Sequence, residues 1–106
     1  MREYTPQELQ KYLATSGADV LLLDVREPWE YELCHIHGSR LIPMGQVQDA
    51  LDDLNADQEI VVICHHGRRS EQIADFLERC GFAHVANLVG GVEAWSQDID
   101  PSLARY

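Results

Sequence analysis

Cys64-His65-His66-Gly67-Arg68-Arg69-Ser70 gathers a thiol, two imidazoles and two guanidiniums in one short run. The apolar run Ile60-Val61-Val62-Ile63 precedes it, and an amphipathic helical pattern follows at once. A sulfur at the carboxyl end of a buried strand, facing a helix N-terminus, meets backbone N–H groups that favour an anion. The thiolate is the nucleophilic form of cysteine, and helix N-termini and nearby cations favour it. Cys64 is therefore read as a catalytic nucleophile. Successive N–H groups of this loop can converge into an anion nest. Gly67 allows a positive φ or a close backbone approach. Arg68 and Arg69 offer charge-assisted donors to a multi-oxygen anion. Cations beside a helix N-terminus oppose its dipole by roughly 0.3–1 kcal/mol each, so two of them there suggest an anion to bind. The plainer alternative is a buried strand-end thiol with solvated arginines.

These residues need elements to hold them. Thr5-Pro6-Gln7-Glu8 reads as a capping box with Pro at the first helical position, ahead of Leu9, Tyr12 and Leu13, with Gly17 as the stop. Val20 to Leu23 is a short apolar strand ending in Asp24-Val25-Arg26-Glu27, and Pro28 opens a helix through Leu33. A turn at residues 35–39 leads to a brief strand at residues 40–42. Pro43 then starts a helix with Val47, Ala50, Leu51 and Leu54 on one face. The helix after the Cys64 loop runs from about Gly67 to Arg79, burying Ile73, Phe76, Leu77 and Cys80, with Gly81 as its stop. Ala83 to Leu88 is a third strong strand, and Gly90-Gly91 turns into a helix containing Ala94 and Trp95. Apolar strands alternating with amphipathic helices predict an α/β fold on a parallel sheet. Ligands of such sheets bind beyond the carboxyl ends of the strands, where Asp24, Cys64 and Gly90-Gly91 all fall.

The 106 residues suit one domain, 1–106, able to bury a core without metal or disulfide staples. Three cysteines at irregular spacing do not suggest a disulfide framework. With no long apolar stretch and no signal-like N-terminus, a cytoplasmic protein away from the membrane is expected. A net charge of −10 argues against nucleic acid as partner. The Cys64 loop is nonetheless locally basic.

Three further motifs carry a resemblance. Leu22-Leu23-Asp24-Val25-Arg26-Glu27, Cys34-His35-Ile36-His37-Gly38-Ser39 and Gly90-Gly91-Val92-Glu93-Ala94-Trp95, together with the Cys64 loop, resemble the rhodanese-like sulfurtransferase family in order and spacing. In the second motif Cys34 stands for the usual Gly and His37 for the usual Pro. The resemblance implies a rhodanese-like fold, a central parallel five-stranded sheet flanked by helices on both faces. It implies that Cys64 takes a sulfane sulfur from a donor such as thiosulfate and passes it to cyanide or a thiol. A sulfur-carrier or thioredoxin-like protein is an expected acceptor. His65, His66, Gly67, Arg68, Arg69 and Ser70 would form the anion-binding loop, with Arg69 first and Arg68 second in orienting the donor. Asp24 and Arg26 are read as a supporting pair and His35 as a backbone hydrogen-bonder. Trp95 is read as core, Cys80 as inert packing, and Cys34 as a structural thiol rather than a redox partner. No cofactor, no metal and a monomer are expected.

Rival readings remain. Related Cys-dependent phosphatases need an Arg six positions after the Cys, where this chain has Ser70. A metal centre from Cys34, His35, His37, Cys64, His65 and His66 lacks well-separated ligand pairs, and adjacent His65 and His66 do not easily both turn inward. A binding module without activity would be free to lose Cys64. The ending from Ala94-Trp95 through Asp100-Pro101 to Tyr106 is similar to rhodanese domains associated with enzymes that adenylate sulfur carriers, or is a tail packing across the sheet.

Overall fold

The computed structural model of the chain describes residues 1–16 and 19–106. Its elements are β1 (Arg2–Tyr4), α1 (Pro6–Thr15), β2 (Val20–Asp24), α2 (Pro28–Leu33), β3 (Arg40–Leu41), two 3₁₀ turns (Met44–Gln46 and Gln48–Asp53), β4 (Glu59–Ile63), α3 (Arg68–Arg79), β5 (Val85–Leu88) and α4 (Gly91–Asp98). The five strands form one sheet in the order β1-β5-β4-β2-β3, with every neighbouring pair parallel.

Side chains alternate across the sheet, so the central apolar strands feed two cores. Leu23, Ile60, Val62 and Val85 face one way and pack with Ile73, Ala74 and Leu77 of α3. Leu22, Val61, Ile63 and Ala86 face the other way, with Leu9 of α1 and Val92 and Trp95 of α4. Both faces are thus covered, which is why β2, β4 and β5 read as unbroken apolar runs.

The strand order places the site. After β2 the chain goes outward to β3; after β4 it goes the opposite way to β5. The connections leaving the carboxyl ends of β2 and β4 therefore run in opposite directions, and the switch point between them is the usual place for a ligand in an open α/β sheet. Asp24 and Ile63, side by side in register, bring the two loops together there.

The capping box at Thr5 and Glu8 forms as expected. Gly17 lies outside the described residues. Several other elements differ from expectation. β1 has too few residues to show a pattern, yet its backbone pairs with β5. The predicted helix after Pro43 is instead the pair of 3₁₀ turns, although Val47, Ala50, Leu51 and Leu54 do face the core. β5 begins at Val85 rather than Ala83. Cys80 is exposed, not packed: it is the C-cap of α3, and the chain turns away at Gly81 with φ 94°.

Candidate functional site

β4 delivers Cys64 to this switch point, and the next residues wrap round its sulfur. Cys64 is 1% exposed. Gly67 donates its backbone N–H to Cys64 Sγ at 3.0 Å. The Cys64 thiol in turn donates to Ser70 Oγ at 3.3 Å. Gly67 is the N-cap of α3 with φ 97°, a left-handed conformation that suits glycine. Asn87 on β5 ties the loop at two points: its Oδ1 accepts from Ser70 Oγ at 2.5 Å, and its Nδ2 donates to the Gly67 carbonyl at 3.2 Å.

The Gly90-Gly91 turn locks the other side of the loop. Val92 N and Glu93 N donate to the carbonyls of Cys64 and His65, at 2.8 and 3.0 Å. A Cβ on Gly91 would run into those same two carbonyls. The two backbones can approach this closely only because position 91 has no side chain.

Asp24 and Arg26 are fully buried, joined by Arg26 Nε and Nη2 to the Asp24 carboxylate at 2.9 and 2.7 Å. Arg26 also donates to the carbonyls of Glu30 and Cys34 and to Tyr106 Oη. Burial works against its charge, but the hydrogen bonds to Asp24 and Tyr106 outweigh it and hold its pKa above the ordinary range. The guanidinium thus staples the loop after β2 to α2 and to the end of the chain.

Two residues that sequence reasoning did not place beside the Cys64 loop, Glu30 and Tyr106, lie against it. Arg69 grips Glu30 with both Nη atoms, at 2.7 and 2.9 Å, a bidentate fork. Hydrogen bonding from Arg69 pulls the Glu30 pKa down to about 2 against the opposing effect of burial. Tyr106 donates its hydroxyl to Glu30 at 2.8 Å, and its ring stacks on His65 at 3.8 Å. Burial pushes its phenol up to about 12. Glu30 carries a local signal, since it occupies the N3 position of a capping box on α2. Nothing in the sequence pairs it with Arg69.

Of the other predicted residues, Arg68 is exposed. His65 is sandwiched between His66 and Tyr106, and burial followed by the neighbouring His66 lowers its pKa. His35 lies outside the loop, its Nδ1 2.8 Å from the Tyr31 carbonyl. Cys34 is buried in the second core and Trp95 packs there too. The ligands of the rival metal centre do not converge. Among the described residues the one set of metal-type donors that does is His65, His66 and Glu93. No helix among those residues is long and apolar enough to cross a membrane.

The rhodanese-like domain family profile matches residues 5–98. The chain is 43% identical over 89 residues to a Bacillus subtilis (strain 168) protein provisionally named a sulfur carrier, covering 84% of this chain and 48% of that one. It therefore spans about half the length of that relative. It is 34% identical over 104 residues to a thiosulfate sulfurtransferase of Ectopseudomonas mendocina (strain ymp), covering 98% and 93% of the two chains. A crystal structure of a rhodanese-like domain protein from Staphylococcus aureus superposes with a TM-score of 0.84 at 30% identity, covering 100% of this chain and 99% of the other.

Proposed function

The chain belongs to the rhodanese-like domain family, and from that premise we propose that it is a sulfurtransferase working through a Cys64 persulfide. The Cys64 thiolate attacks the outer sulfur of a donor such as thiosulfate. The S–S bond of the donor breaks, sulfite leaves with the bonding pair, and Cys64 carries the transferred sulfur as a persulfide anion. An acceptor then attacks that outer sulfur: cyanide gives thiocyanate, a thiol gives a new persulfide, and the Cys64 thiolate returns. One transfer becomes two displacements, with ping-pong kinetics expected.

The observation that carries this reading is the Cys64 cradle, with Gly67 N–H on the sulfur at 3.0 Å and the Ser70 hydroxyl beside it. The Gly67 N–H is a fixed donor, and a donor of this kind stabilises an anion without reorganising during the reaction. The Ser70 hydroxyl, which now donates to Asn87 Oδ1, can turn its proton toward a sulfur anion. Arg69, held by Glu30 and flanking this loop, is the residue proposed to orient the donor's oxyanion end, with exposed Arg68 second. Ser70 occupies the position where the related phosphatases need Arg, and it is committed to Cys64 and Asn87. The proposed physiological acceptor is a low-mass thiol or a small sulfur-carrier or thioredoxin-like protein.

Intact mass after thiosulfate treatment tests the mechanism. Wild type should gain one sulfur, cyanide should remove it, and Cys64→Ala should gain none. No gain on a protein whose Cys64 is reduced and alkylatable would rule out thiosulfate as donor.

A further inference from the structure

Adjacent histidines are not expected to turn the same way, yet the rings of His65 and His66 stack at 3.9 Å between centroids. Their donor nitrogens and a Glu93 carboxylate oxygen all lie within 4.8 Å of one another. His65 Nε2 is buried and has no hydrogen-bond partner among the described residues. Such an atom calls for an explanation. Its nearest acidic neighbour is Glu93 Oε2 at 3.6 Å, too long for a normal hydrogen bond of about 2.7–3.2 Å. Two ligands on one tetrahedral zinc, each about 2.0–2.2 Å from the metal, are separated by about 3.3–3.5 Å. The observed gap is close to that edge.

We propose that His65 Nε2, a ring nitrogen of His66 and Glu93 Oε2 bind one zinc-class divalent cation at the rim of the Cys64 loop. The carboxylate is already oriented for it. Glu93 Oε1 accepts from Arg105 and from Gln97, which leaves Oε2 turned toward His65. Partners of this kind fix a ligand's direction. The His65 ring is held by Tyr106 on its other side. His66 is exposed and has room to close the remaining distance. Two imidazoles and one carboxylate match the donor set of open zinc sites, whereas calcium and magnesium prefer oxygen ligands alone. The positive charge of Arg105 beside Glu93 opposes a bound cation and lowers the expected affinity. Bound metal would clip the Cys64 loop to α4.

Zinc chloride titrated by calorimetry into protein carrying Cys64→Ser and Cys80→Ser tests this without the two thiols that could compete. One equivalent should bind, and His66→Ala and Glu93→Gln, added singly, should each weaken binding at least tenfold while the metal-free variants melt cooperatively. Cobalt(II) should show visible d–d absorption saturating at one equivalent. Absence of one-equivalent binding, or unchanged affinity in either variant, would overturn the site. Should a variant not fold, footprinting of the unmutated chain decides: zinc should shield His65 and His66, but not His84, from diethyl pyrocarbonate. Equal modification with and without zinc would overturn the proposal.

Discussion

Glu30 and Arg69 form the ion pair at the edge of the Cys64 loop, and its worth depends on pH. Glu30 has a folded pKa of about 2, below its ordinary 4.5. Its contribution is therefore fully present above about pH 4.5 and is lost as pH falls through about 2. Because Arg69 is 35% exposed, solvent discounts the pair to about 1–3 kcal/mol. Glu30→Gln should lower urea stability by that amount at pH 7, and the gap from wild type should shrink as pH drops toward 2. A gap that stays constant across that range would mean Glu30 acts through packing alone. At this scale the grouping of Cys64, Gly67 and both arginines in one loop was legible because a strand-to-helix loop is local in sequence. Glu30 was not, since its partner lies 39 positions away.

At the scale of elements, the junction of the Cys64 loop with α4 is the most demanding piece of backbone. Gly91 sits at φ 60° against the Cys64 and His65 carbonyls, whereas Gly81 has a positive φ with open space where a Cβ would go. Gly81→Ala should cost only the left-handed strain, about 1–2 kcal/mol, and leave sulfur transfer unchanged. Gly91→Ala adds a backbone collision that must displace the loop. It should cost more stability and lower sulfur transfer at least tenfold in a thiosulfate assay. Equal effects of the two variants would show that the close approach is not what matters. Most elements were readable from apolar period, proline and glycine. The segment after Pro43 was misread because helical spacing of Val47, Ala50, Leu51 and Leu54 is compatible with 3₁₀ turns over so short a stretch. β1 was missed because its pairing is all backbone.

Across the whole molecule, two apolar cores grip one sheet, and Leu23 at 0% exposure lies in the middle of one of them. Leu23→Ala should destabilise the fold by about 2–5 kcal/mol, read from urea unfolding at unchanged m-value. A smaller loss would mean that the β2 layer relaxes around the cavity. The sequence alone determined the α/β alternation, the parallel sheet and the identity of the Cys64 loop, because apolar period, caps and a strand-to-helix turn act between near neighbours. Only the tertiary structure decided that Asn87 ties Ser70, that Arg69 takes Glu30, that Tyr106 closes on both Arg26 and Glu30, and that His65, His66 and Glu93 converge. Most of those contacts join residues far apart in the chain. They depend on the strand order that sets β4 between β5 and β2, and on where the last residues come to rest, neither of which a local pattern encodes.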